Sequence, residues 1–142
     1  MPAQIGKTEN GNALHYSVGA IIKLQGKYLL IDRAIKPSGF AVLAGHINDG
    51  ETTEHALARE VEEEGGLGIA SAKLVWQGEV ENNWCSRGIG IHYWNVFECE
   101  TTGDPMLFTA EAKSIGLYTI EEMKKMPFDP AVLYWMKKLH IL

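Results

Sequence analysis

The stretch from Gly45 to Leu67 constrains this chain more than any other part of it. Thr52 or Thr53 is available as a helix N-cap and Gly65-Gly66 as a left-handed ending, which predicts a short helix between them. At about 100° per residue, Leu57 and Val61 fall in one narrow arc and Glu60, Glu63 and Glu64 in the adjacent one. One side therefore packs while its neighbour presents carboxylates. Negative charge is costly there, because a helix C-terminus is itself partly negative and neighbouring carboxylates repel. Glu62 points about 100° or more away and reads as solvated. Such a cluster calls for a cation from outside the sequence.

The i, i+3, i+4 spacing of Glu60, Glu63 and Glu64 brings hard oxygen ligands onto one helical face. Magnesium favours such oxygens, keeps several waters and uses one or two carboxylates together with substrate phosphates; manganese is next in order. An arbitrary Glu-rich helix is more often just a solvated face. Here the flanking residues reverse that expectation: Gly45, five residues, Glu51, seven residues, Arg59-Glu60-Val61, one residue, Glu63-Glu64, one residue, then Gly66-Leu67. This spacing resembles the Nudix box at every specified position, and the chain is similar to Nudix hydrolases. The resemblance extends more weakly over an opening hairpin ending near Arg33, an aromatic before the box, and a late strand followed by a Glu-rich helix.

The resemblance implies an α/β fold, an α/β/α sandwich around a mixed β-sheet. It also implies a Mg²⁺-dependent pyrophosphohydrolase, with Mn²⁺ as second choice, cleaving the diphosphate linkage of a nucleoside diphosphate derivative of the nucleotide, nucleotide sugar or dinucleotide class. Carried over residue by residue, Glu60, Glu63 and Glu64 resemble the family's metal-binding carboxylates and the Gly45 carbonyl its backbone ligand. Arg59 matches the arginine that orients the carboxylates, with Glu51 placed to pair with it. The general base is Glu63, Glu60 or a carboxylate outside the box, for which Glu111 is the candidate.

Composition narrows the partners. The net charge of -5, without basic runs, argues against duplex nucleic acid, so a cation must mediate contact with a phosphate substrate. Cys85 and Cys99 lack metal-site or redox spacing, and the N-terminus lacks an apolar signal stretch, so a reduced, cytoplasmic setting is expected. Apolar runs such as Val18 to Ile22 are too short to span a bilayer. The length of 142 residues fits one domain, residues 1–142. The family and the apolar tail through Leu142 make a homodimer reasonable.

His15 to Leu24 and Lys27 to Asp32 read as a hairpin around Gln25-Gly26. One brief strand is expected at Phe40 to Ala44, with further strands at Lys73 to Glu81, Gly90 to Cys99 and Ser114 to Tyr118. The Gly90 to Cys99 strand is apolar on both faces and is placed centrally. Thr119 to Glu122 has capping-box spacing, and Asp129-Pro130 opens a last helix whose Val132, Trp135, Met136 and Leu139 form a core face.

For substrate, Arg33 is a phosphate candidate, and Phe40 and Trp84 are candidates for stacking on a base. Core packing explains Phe40 equally well, and a dimer contact explains Trp84 equally well. Glu79, Glu98 and Glu100 rank below Glu111 as carboxylates of the cleft. Arg87 could also meet phosphate, while oxygen-only ligation needs neither His46 nor His55. The proline that marks many ADP-ribose hydrolases is replaced by Glu81-Asn82-Asn83, which lowers the weight of ADP-ribose. Two alternatives stand beside hydrolysis: an isopentenyl-diphosphate-isomerase-like enzyme of the same fold, using a cysteine and a glutamate, and a nucleotide-binding module without turnover. Such modules typically lose box carboxylates, and all are present here.

Overall fold

The computed structural model describes residues 2–35 and 37–142. In chain order its elements are β1 (Ile5–Lys7), β2 (Ala13–Leu24), β3 (Lys27–Arg33), β4 (Gly39–Ala41), β5 (Leu43–His46), α1 (Thr53–Gly65), β6 (Gly68–Val80), β7 (His92–Thr102), β8 (Ala112–Tyr118), α2 (Ile120–Met123) and α3 (Pro130–Lys138). The strands form a mixed sheet with the order β4-β3-β2-β7-β6, to which β1 and β5 add on β2 and β8 adds on β3. β7 lies between β2 and β6, parallel to the first and antiparallel to the second, which explains its apolar residues on both faces.

Strand alternation sorts the core into two layers. Val18, Ala20 and Ile22 of β2, with Leu29 and Ile31 of β3, pack on Leu57 and Val61 of α1. The intervening residues, Ile21 and Leu30, pack instead with Val132, Trp135 and Met136 of α3 and Met123 of α2. The period of two thus puts a helix on each face of one sheet, giving an α/β/α sandwich. Apolar burial on both faces supplies the main favourable free energy, at roughly 25 cal/mol per Å² of apolar surface.

The hairpin forms around Gln25 and Gly26, with φ of 55° and 77°, the two left-handed residues of a tight type I′ connection. Only Lys23–Tyr28 and Leu24–Lys27 pair across it, and then the strands part. Phe40 to Ala44 is consequently two strands rather than one: β4 pairs with β3, the chain crosses at Val42, and β5 pairs with β2. β6 also begins at Gly68, ahead of the expected Lys73, because its first residues pair with Glu100, Thr101 and Thr102 at the end of β7. The small residues Ala70, Ser71 and Ala72 carry little strand signal of their own, and long-range pairing supplies it.

Candidate functional site

α1 starts at Thr52, whose hydroxyl accepts from the His55 N–H at 3.1 Å, and stops at Gly66, a left-handed residue with φ of 67°. No basic residue occupies its last turn, so the only cation on the helix beside these carboxylates is Arg59, one turn earlier. Helix and β5 meet at Gly45, where a Cβ would run into the Glu60 carboxylate. A glycine is required by this close approach, and it leaves the Gly45 backbone open beside Glu60.

Glu64 is 3% exposed, and one of its carboxylate oxygens accepts the Ala44 N–H at 2.7 Å. Burial, reinforced by the charge of Glu60, pushes its pKa up to about 8. Burial likewise raises Glu60 to about 7, against the pull of Arg59 and with the charges of Glu63 and Glu111 adding to it. Glu111, reaching in from the segment before β8, therefore belongs to the same electrostatic group as the helix carboxylates. Glu63 stands at the mouth with its side chain 59% exposed, and Glu62 is exposed on the outer face.

Arg59 ties this group together. Its Nε and Nη2 donate to the two oxygens of Glu51 at 2.7 and 2.9 Å, a bidentate fork. Nη2 also donates to the His46 carbonyl at 2.9 Å, and Nη1 donates to Glu60 at 2.7 Å and Glu63 at 3.3 Å. Glu51 further accepts the Asn48 N–H at 3.0 Å and contacts His55 Nδ1 at 2.7 Å. The Arg59 hydrogen bond is the main reason its pKa falls to about 2, and the same contact raises that of Arg59. Both stay charged at neutral pH, and together they link the loop after β5 to α1.

Arg59, Glu60, Glu63, Glu64 and Glu111 line a cavity of about 440 Å³, together with Arg33, Arg87, His46, Cys85 and His92. Of the sequence candidates, Gly45, Arg59, Glu60, Glu63, Glu64, Glu111 and Arg33 meet here. Arg33 is held in place by donating from Nε to the Pro37 carbonyl at 2.7 Å. Phe40 stands apart, packed edge-on against Tyr118 with ring centroids 5.6 Å away, in the core layer of α3. Trp84 is also outside the cavity, its indole lying on Gly90, where a Cβ would approach within 2.6 Å, and facing a second, shallower depression. Glu79, Glu98 and Glu100 do not line the cavity.

Sequence reasoning missed the imidazole side of the cavity. His92 and Asn83 lie in the lining, and His15 stands behind them. Isolated histidines at strand starts carry no spacing pattern, so only the strand register reveals that His15 and His92 are neighbours. Asn83 is legible only in retrospect: its side-chain oxygen accepts the Trp94 indole N–H at 3.1 Å, fixing the loop between β6 and β7.

The carboxylate wall fits a hard divalent cation. Glu64 is buried and Glu60 nearly so, both with raised pKa values; Arg59 is hydrogen-bonded to Glu60, Arg33 acts on Glu64 through its charge, and the open Gly45 backbone adjoins Glu60. Among the described residues, no helix is long and apolar enough to cross a membrane.

Comparison with known proteins bears on the family and the fold. The family model for the NUDIX domain matches residues 13–139. An ADP-ribose pyrophosphatase of Methanocaldococcus jannaschii is 31% identical over 115 residues, covering 80% of this chain; the match spans 66% of that relative's length. A MutT NUDIX hydrolase of Burkholderia pseudomallei superposes with a TM-score of 0.77 at 22% identity, over 87% of this chain and 96% of that one. The NUDIX domain of Shewanella oneidensis NrtR, solved with ADP ribose, gives a TM-score of 0.74 at 15% identity, over 95% and 92% of the two chains. These two structural likenesses establish the fold.

Proposed function

The chain belongs to the Nudix family, and from that premise we propose that it hydrolyses the diphosphate linkage of a nucleoside diphosphate derivative with the help of Mg²⁺, Mn²⁺ being the alternative ion. The observation that carries this reading is the convergence of Glu60, Glu63, Glu64 and Glu111 on one cavity whose other charged lining residues include Arg33 and Arg87. Acids to hold a cation and guanidinium groups to hold phosphate oxygens are the two halves of a phosphoric anhydride site.

Glu60, Glu64 and the Gly45 carbonyl would hold the cation, with Glu63 completing the set. When bound, the ion neutralises phosphate oxygens and stabilises charge developing on the leaving phosphate. Arg59 orients Glu60 and Glu63, and Glu51 in turn fixes Arg59. Glu63 and Glu111 are the exposed carboxylates of the group, so one of them takes the proton of the attacking water. Arg33 and Arg87 neutralise and orient the diphosphate.

The named relative supports ADP-ribose as the first substrate to test, against the missing proline. The test is a panel of ADP-ribose, nucleotide sugars, dinucleoside polyphosphates, nucleoside triphosphates and oxidised nucleotides with Mg²⁺ or Mn²⁺, followed by product identification. Hydrolysis at a phosphoric anhydride of one class is expected; absence of turnover throughout would favour the binding module. Cys85 lines the same cavity, so isopentenyl diphosphate belongs in the panel, and its isomerisation without hydrolysis of any other substrate would overturn the proposal.

A further inference from the structure

Four side chains from four separate segments meet on the face of the sheet opposite α1. His15 comes from β2, His46 from the end of β5, His92 from the start of β7, and Cys85 from the 81–91 loop that joins β6 to β7. The register explains the meeting. His15 and His92 are direct partners across the parallel β2–β7 pair, and His46 is the partner of Ser17, two residues along β2 on the same face as His15. One ligating atom from each of the four residues falls within 4.8 Å of all the others.

Two of the contacts among them are at hydrogen-bonding distance. His46 Nε2 and His92 Nε2 lie 3.1 Å apart, and Cys85 Sγ lies 3.8 Å from His15 Nδ1. His15, Cys85 and His92 are all buried, and His92 Nδ1 finds no partner of good geometry. Zinc binds imidazole at about 2.0–2.1 Å and thiolate at about 2.3 Å, so a tetrahedral site has N···N edges of about 3.4 Å and N···S edges of about 3.6 Å. The two short contacts already approach these edges, and inward side-chain rotations of about 1 Å would close the rest.

We propose that His15, His46, Cys85 and His92 form a second metal site, a four-ligand centre for a zinc-type divalent transition ion, which fastens the 81–91 loop to the sheet. Three neutral imidazoles and one thiolate suit a borderline-soft ion rather than Mg²⁺, and four protein ligands mark a structural rather than a catalytic centre. His15 and His92 are buried, and burial favours the neutral, ligating form of an imidazole. Arg87 and Arg33 are the cations facing His46, and Arg87 also faces His15. Arg87 is exposed, so solvent screens its repulsion, and the thiolate formed on coordination offsets part of it. The consequence falls on Arg87, which the loop carries into the wall of the cavity.

The full chain, stripped with chelator and returned to excess Mg²⁺ to occupy the carboxylates, is titrated with Co²⁺ as a spectroscopic stand-in for zinc. One equivalent is expected to give a thiolate-to-cobalt charge-transfer band with the intense visible bands of four-coordinate cobalt, displaced by Zn²⁺. The band should persist in Cys99→Ser and in Glu63→Gln and vanish in Cys85→Ser. His92→Gln, which keeps the thiol, should weaken Zn²⁺ binding by about 100-fold or more, which keeps the test decisive if Cys85→Ser fails to fold. Zn²⁺ should also slow tryptic cleavage after Arg87 by about 10-fold, through the local opening that it suppresses. No charge-transfer band, a band that survives in Cys85→Ser, or equal affinity in His92→Gln would overturn the metal site. Unchanged cleavage with metal bound would overturn the fastening of the loop. Because Glu63→Gln retains this centre, its failure and that of the hydrolytic reading are distinguishable.

Discussion

Gly45 and His46 are consecutive residues of β5, yet they serve opposite faces of the sheet. Gly45 follows Leu43 toward α1, and His46 follows Ala44 toward the layer of α3. On the first face the wall is hard oxygen, drawn mainly from one helix and organised by a single arginine. On the second it is nitrogen and sulfur, drawn from four segments and organised by strand register. Alternation along one short strand thus sends two chemistries to opposite faces, and both reach the one cavity around the strand's end.

The largest expected effect breaks the oxygen wall alone. Glu64→Gln keeps the acceptor that the Ala44 N–H uses and removes a charge that burial disfavours, so the denaturation midpoint of the metal-free protein should not fall. Turnover with Mg²⁺ should drop by about 100-fold or more in Glu64→Gln and in Glu63→Gln. Steady-state kinetics and urea titration of the same preparations check both statements. Near-normal activity in both variants would remove the carboxylates from the metal assignment.

A smaller effect tests how the oxygen wall is held. Glu51→Gln leaves Arg59 without its bidentate partner, while Arg59 keeps its contacts with Glu60, Glu63 and the His46 carbonyl. The expected losses are about 10-fold in turnover and about 2 kcal/mol in stability. The sign with pH follows from the depressed pKa of Glu51. Its stabilising contribution is fully present above its ordinary value of 4.5 and is lost as pH falls toward about 2. Urea midpoints of the two proteins should therefore converge across that interval and stay parallel above it.

The two walls also differ in how far they could be read from the chain. The oxygen wall is local: caps, helix period and box spacing all lie between Gly45 and Leu67, so the shared face of Glu60, Glu63 and Glu64 was legible from sequence separation, while their roles and that of Arg59 came from the resemblance to the Nudix box. The hairpin at Gln25-Gly26, the capping box at Thr119 and the helix after Asp129 were legible for the same reason. The division of Phe40 to Ala44 into two strands was not, because it depends on where β2 and β3 part company. His15 and His92 gain meaning only once β2 and β7 are paired in parallel. Glu111 lies between these cases, visible as an acid before a strand and placed beside Glu60 and Glu64 by the sheet.

The smallest expected effect sharpens where the nitrogen and sulfur wall ends. Trp84 is the residue next to Cys85, 58% exposed, and an exposed tryptophan in a loop suggests a stacking platform for a base. Its indole lies instead on Gly90, beside Asn12 and Ala13, on a depression separate from the cavity that holds the carboxylates. Cys85 turns inward toward His15 while Trp84 turns outward, as neighbouring residues of an extended segment do. Trp84→Ala should accordingly change KM for the hydrolysed substrate by less than about 2-fold, since no contact with the cavity is removed. A rise in KM of about 10-fold with kcat unchanged would mean that Trp84 swings over the cavity to meet substrate, and would extend the binding surface beyond Arg87 to the outer side of the loop.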